Sequence, residues 1–159
     1  MAESTVATTR SRMMAAIRGK DTKPELMVRR GLHARGFRYR LHSSKLPGKP
    51  DIVLTSRRAA IFVHGCFWHR HMGCHWCTFP KTRKEFWTSK FALNVARDTR
   101  QQEELLQLGW RVAIVWECAT KASDFGCTIE KLAAWLESSD RSFETAVIRA
   151  GDTDAPTCL

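Results

Sequence analysis

Pro50-Asp51-Ile52-Val53-Leu54-Thr55-Ser56-Arg57-Arg58-Ala59-Ala60-Ile61-Phe62-Val63-His64 is the stretch whose reading decides how this chain folds. Two short apolar runs, 51–54 and 59–63, flank a turn at Ser56-Arg57-Arg58, and such runs read as buried strands. Arg111 to Trp116 is a third run of the same kind. Between them, Thr82 to about Leu108 suits a long helix with Phe86, Phe91, Leu93, Leu105 and Leu108 among its apolar positions, stopped at Gly109. Upstream, Thr22-Lys23-Pro24-Glu25 is a helix start: Thr22 can cap, Pro24 sits in the first turn and Glu25 completes a capping box. Leu26, Val28 and Leu32 follow as apolar positions, and Gly36 ends that helix region. Phe37 to Leu41 alternates with basic residues and reads as a strand, and 43–50 as a loop. Thr128 to Leu136 is a helix capped by Thr128, and Ser11 to Ile17 forms a short helix. Residues 1–9 and the tail 138–159 lack periodicity and read as poorly ordered. There is no internal repeat. Helix, strands, helix, strand, helix in one domain over 1–159 argues for an α/β layer around a central sheet.

Charge points to a polyanion. The net charge is +10, and residues 1–50 hold twelve Lys or Arg against three acids, so nearly all the excess is N-terminal. Such a field favours nucleic acid ahead of a membrane surface. The N-terminus lacks the apolar segment of a secretory signal, and no apolar run is long enough to span a bilayer. A reducing, cytoplasmic setting is the default expectation, with cysteines near histidines favouring metal ligation or free thiols over disulfides.

The strands lead into His64-Gly65-Cys66-Phe67-Trp68-His69-Arg70-His71-Met72-Gly73-Cys74-His75-Trp76-Cys77, which holds four of the six histidines and three of the six cysteines. Thiolate and imidazole at such spacing suit zinc. Cys66, His71, Cys74 and Cys77 could close a tetrahedral site locally; Cys118 is a distant fifth candidate, and His69 and His75 could also ligate. Asp51 opens its strand after Pro50. Phosphodiester hydrolysis commonly uses a carboxylate to hold magnesium, and His64 and His69 on the element that follows can transfer protons or hydrogen-bond a phosphate. Glu25 could assist, although its capping role already accounts for it. Phe67-Trp68 lies in a polar loop, and two adjacent large aromatics there suit insertion between base steps. Met14, on the basic N-terminal helix, could do the same from another side; Trp87 is equally explained by packing.

These residues resemble the very-short-patch-repair (Vsr) endonucleases, bacterial nickases of T·G mismatches. The resemblance runs from about Thr9 to Trp135. It rests on 9–17, Leu46-Pro47-Gly48-Lys49-Pro50-Asp51, 62–69, Thr82-Arg83-Lys84-Glu85-Phe86-Trp87, Asn94-Val95-Ala96-Arg97-Asp98, 108–112 and Val115-Trp116-Glu117-Cys118. It implies a central mixed β-sheet flanked by helices, like that of type II restriction endonucleases, in a cytoplasmic, nucleoid-associated bacterial monomer. It implies catalytic magnesium at Asp51 with the backbone carbonyl of Val63, proton transfer by His69, support of the phosphate or the hydrated metal by His64, and a hydrogen bond from Glu25 to that hydrated metal. It implies structural zinc on Cys66, His71, Cys74 and Cys118, with Cys77 left out. Phe67, Trp68 and Trp87 would enter the DNA beside the mismatch, opposed by Met14. The implied reaction is a nick of one strand 5′ to the T of a T·G pair left by deamination of 5-methylcytosine, in company with a cytosine-C5 methyltransferase and general mismatch-repair proteins. Two other readings remain open: a restriction-type endonuclease on matched DNA, and a non-catalytic zinc-stabilised DNA-binding module.

Overall fold

The computed structural model of the chain describes residues 19–146; Met14, the helix expected over 11–17 and the expected disordered segment 1–9 lie outside them. The elements run α1 (Lys23–Ala34), β1 (Arg40–Leu41), β2 (Ile52–Leu54), a 3-10 turn at Thr55–Arg57, β3 (Ala59–His64), α2 (Lys84–Gln107), β4 (Arg111–Trp116), α3 (Glu117–Lys121), α4 (Phe125–Glu137) and β5 (Ser142–Glu144). The strands form one mixed sheet in the order β1-β2-β3-β4-β5. β1, β2 and β3 are antiparallel neighbours; β4 runs parallel to β3, and β5 parallel to β4. The parallel β3–β4 pair needs a crossover, and α2 provides it. No helix among the described residues is long and apolar enough to cross a membrane.

Period-two alternation splits the sheet into two faces. Ile52, Leu54, Ala59, Ile61, Ala113 and Val115 pack beneath α1 and α4, against Val28, Leu32, Ile129, Leu132 and Trp135. Ala60, Phe62, Val112, Ile114 and Trp116 point the other way, onto Leu105 of α2 and the cysteines Cys66, Cys74 and Cys118. α1 and α4 approach so closely that a Cβ on Gly31 would lie 2.8 Å from Ile129 Cγ1. Gly31→Val should therefore lose about 1–3 kcal/mol by overpacking, read as a lower urea midpoint at unchanged slope. A midpoint at or above the parent's would show that the helices have room to separate.

Several boundaries differ from the sequence expectation, each for a local reason. Thr22 does cap α1, its hydroxyl accepting from the Glu25 N–H at 3.4 Å, but the Glu25 carboxylate accepts from the Asp21 N–H at 2.9 Å, one residue earlier than a capping box requires. The expected strand over 37–41 shrinks to Arg40–Leu41 because Phe37 is drawn into the core at the end of α1, its N–H donating to Leu32. α4 begins earlier than expected because Asp124, not Thr128, accepts from the Cys127 N–H. α2 buries only Phe91 and Leu105; Phe86, Leu93 and Leu108 stay exposed, Leu93 at 72%. Of the tail expected to be poorly ordered over 138–159, residues 147–159 lie outside the described residues, and within 138–146 Ser142–Glu144 forms β5. That strand has a single apolar side chain, Phe143, so it carried no periodic signal. Backbone bonds hold it, Val112 N–H donating to Arg141 and Thr145 N–H to Ile114, together with the Trp116 indole N–H on Glu144 at 2.7 Å.

Candidate active site and metal centre

Asp51 stands at the head of β2, against the neighbouring strand β3. Its Oδ2 accepts from the Val63 N–H at 2.8 Å. On a strand, the N–H and C=O of one residue face the same neighbour, so the Val63 carbonyl looks to the same side as Asp51. Burial pushes the Asp51 carboxyl up to about 6, against the Val63 N–H that lowers it, and the Glu25 charge raises it further. A half-desolvated carboxylate with a backbone carbonyl turned to the same side offers hard oxygens that fit a divalent cation. His64, the last residue of β3, is buried.

His64 and His69 stack in parallel, ring centroids 3.9 Å apart. Burial, helped by the neighbouring His69, pushes the His64 imidazole down to about 3, so it is neutral at physiological pH. His69 donates from Nδ1 to Asp98 Oδ2 at 2.5 Å. Burial works to raise Asp98, yet the His69 hydrogen bond, the His69 and His64 rings and Arg97 hold it below the ordinary carboxylate range. With Nδ1 committed, Nε2 is the His69 nitrogen left for proton transfer. Asp98 is a residue that the sequence reading missed. Asn94 and Asp98 lie four apart on α2 and face the loop together: Asn94 donates to the Trp68 carbonyl at 3.1 Å. An i, i+4 polar pair on one face of a weakly apolar helix was the available signal.

Glu25 is 2% exposed and fully engaged. Arg29 ion-pairs with it and, at 2.7 Å, with Asp21. The same guanidinium donates to His42 Nε2 at 2.8 Å, while the His42 N–H donates to the Asp51 carbonyl at 3.1 Å. His42 adopts a left-handed φ of 48°. Neither Arg29 nor His42 announced itself in the sequence, since each looked like part of a generally basic surface. Together they hold the Glu25 carboxylate in place at the N-terminal end of α1.

A second cluster lies on the same face of the sheet. Cys66, His71, Cys74 and Cys118 are all buried, and each offers a ligand atom within 4.8 Å of the others. His71 Nδ1 lies 3.4 Å from Cys118 Sγ and 3.7 Å from Cys66 Sγ, and its ring stacks on Trp116. The Cys118 N–H donates to Cys66 Sγ and the Trp76 N–H to Cys74 Sγ, both at 3.4 Å. Cys118 and burial both push the Cys66 thiol up, and burial pushes Cys74 up. Crowded, buried thiols resist ionising unless a cation neutralises them, so three sulfurs and an imidazole fit a soft tetrahedral metal such as zinc. Cys77 is outside the group. The register explains the choice: His64 pairs with Trp116 on parallel strands, so two residues further along, Cys66 and Cys118 leave the sheet side by side.

Phe67, Trp68 and Trp87 lie together on the α2 side. Phe67 meets Trp68 edge-on at 5.1 Å, Trp87 at 5.8 Å and Phe91 at 5.2 Å. All three are half-buried. Lys90 Nζ sits 5.6 Å from the Trp68 and Trp87 rings.

Comparison with known proteins adds to this geometry. A family model described as DNA mismatch endonuclease Vsr matches residues 3–76. The DNA mismatch endonuclease Vsr of Escherichia coli (strain K12) is 45% identical over 132 residues, covering 80% of this chain and 83% of that protein. The chain belongs to the Vsr family. It is therefore an endonuclease of the DNA mismatch repair class. Type II nicking enzymes are similar as well. V.XorIIP of Xanthomonas oryzae pv. oryzae is 48% identical over 127 residues, 80% of this chain and 91% of that protein. V.NmeAIP of Neisseria meningitidis serogroup A is 44% identical over 112 residues, 70% of this chain and 79% of that one. In this Vsr-family chain, the aspartate immediately precedes β2, the stacked histidines end and follow β3, and the cysteine cluster is shared between the loop after β3 and α3, which follows β4.

Proposed function

We propose that this chain nicks one strand of duplex DNA 5′ to the T of a T·G mismatch left by 5-methylcytosine deamination, with catalytic magnesium and structural zinc on a restriction-endonuclease-like fold. The observation that carries the reading is the half-buried Asp51 carboxylate within electrostatic reach of His69, which stacks on His64 and is held by Asp98, in a chain of this family. Asp51 and the Val63 carbonyl would hold magnesium, which supplies charge neutralisation at the phosphate and activation of the attacking water. Arg29 and His42 hold the Glu25 carboxylate in place. His69 Nε2 carries the proton, its Nδ1 held by Asp98. His64, uncharged, donates to or accepts from the phosphate without adding charge to it. Cys66, His71, Cys74 and Cys118 would hold zinc and pin the loop that bears His69. The active chain is a monomer acting after a cytosine-C5 methyltransferase and alongside general mismatch-repair proteins.

The deciding experiment compares nicking of T·G and T·A duplexes with and without magnesium. Magnesium-dependent cleavage confined to one strand of the T·G duplex is expected. Cleavage of both strands of T·A DNA would indicate a restriction-type nuclease, and binding without cleavage a DNA-binding module.

Mismatch selection has its own expected signature. A wobble pair stacks less well, so prying it open costs less, and inserted rings repay about 1–3 kcal/mol per base. Trp68→Ala should lower T·G affinity about tenfold while changing T·A affinity little, as that stacking energy implies. Titrations on both duplexes check this; an equal loss on the two would make Trp68 a packing residue only.

A further inference from the structure

We propose that Arg70 is the positioning residue of the aromatic wedge, and through it a determinant of mismatch discrimination; this rests on the reading of Phe67-Trp68 as the inserted element. Arg70 lies between the proton-transfer candidate His69 and the metal-ligand candidate His71. Its backbone adopts a left-handed φ of 57°. One nitrogen, Nη1, donates to the Thr78 carbonyl at 2.8 Å and to the Phe67 carbonyl at 3.4 Å. The two ends of the loop are thus tied through one guanidinium. Its carbon sits 4.3 Å from the centroid of Phe91 and 5.6 Å from that of Phe79.

Phe91 is buried, and it is the ring on which the cluster rests: Phe67, Trp87 and Phe79 all meet it, at 5.2, 5.4 and 5.8 Å. Arg70 therefore holds the Phe67 backbone and the floor beneath the Phe67 ring at once. Asn94 does the corresponding work one residue along, on the Trp68 carbonyl. A ring entering a base step must not recoil into the loop as the bases push back. Stacked guanidinium and carbonyl hydrogen bonds supply that stiffness. A phosphate-binding arginine would instead present its fork to solvent, whereas this one directs Nη1 to two carbonyls of its own loop and its guanidinium face to the rings of Phe79 and Phe91.

The test uses the full chain with its metals. Arg70→Met keeps the alkyl stem and removes the fork; Arg70→Lys keeps the charge and a single donor nitrogen without the planar fork. Arg70→Met should lower T·G affinity about tenfold and T·A affinity less than about twofold, with the salt dependence of both unchanged. Arg70→Lys should recover part of the loss while keeping the parent's zinc content and melting temperature. In a Trp68→Ala background, Arg70→Met should add almost nothing, because the two act through one wedge. Equal losses on both duplexes with a shallower salt slope, or additive losses in the double variant, would overturn the proposal in favour of a phosphate contact. If Arg70→Met fails to fold, Arg70→Lys decides alone: an unchanged ratio of T·G to T·A affinity overturns it. A selective Trp68→Ala with an unselective Arg70 variant defeats only this inference, whereas an unselective Trp68→Ala defeats the wedge reading itself.

Discussion

Asp51→Asn should abolish magnesium-dependent nicking, by about 10³-fold or more, while leaving T·G affinity close to that of the parent. The amide keeps the shape and can still accept from the Val63 N–H, but it removes the charge on which cation binding depends. Nicking by the variant near the parental rate would remove Asp51 from the chemistry. The same substitution should change stability in a direction set by pH. Burial lifts the carboxyl to about 6, with Glu25 adding to the rise. The native state therefore binds that proton more tightly than the unfolded chain does. The ionised form costs native stability; the cost is complete above about pH 6 and absent below about pH 4. Without added magnesium, Asp51→Asn should be more stable than the parent at pH 8, on the order of 1–3 kcal/mol, with the advantage vanishing at pH 4. Denaturation midpoints at the two pH values test this. A variant less stable than the parent at pH 8 would show that the carboxylate contributes to the fold rather than being strained by it. Parental nicking at subsaturating magnesium should likewise fall as pH drops through 6, and more magnesium should move that fall to lower pH. A site kept at some cost in stability is a common signature of function.

Cys118→Ser and Cys66→Ser should both lose zinc and much of the folded population. Structural zinc contributes an apparent 10–16 kcal/mol in small peptides, comparable with the whole stability of an ordinary domain, about 5–15 kcal/mol. Each substitution removes one corner of a buried tetrahedral donor set. Metal analysis of the purified chain should give one zinc per molecule, and the two serine variants should melt far below the parent. Cys77→Ser should retain both zinc and melting temperature, because Cys77 stands outside the cluster. The opposite order, with Cys77→Ser losing zinc and Cys118→Ser keeping it, would mean that the site closes locally within the loop. A folded, active chain without zinc would remove the structural metal altogether.

Much of the architecture was legible because it depends on short-range physics. The runs 52–54, 59–63 and 111–116 are apolar enough that only burial on both faces accommodates them, and they form β2, β3 and β4. Thr22 and Pro24 placed the start of α1, and Gly109, at a φ of 79°, the end of α2. Density of ligands alone marked 64–77 as the chemical centre. β5 was not legible, since a strand with one apolar residue is made by its neighbour's hydrogen bonds rather than by its own pattern.

The sequence by itself thus determined the element types, the polyanion-seeking charge and the residues capable of chemistry. Their partnerships belong to the tertiary structure. Composition could not choose between Cys77 and Cys118, because the nearer cysteine in sequence is the farther one in space once β3 and β4 pair in parallel register. It could not join His69 to Asp98 across 29 positions, or set Arg29 and His42 around Glu25, because side chains on separate elements meet only after the sheet has ordered them. Local propensity is encoded residue by residue; proximity between distant residues is decided by strand register and by which face of each helix the core leaves free.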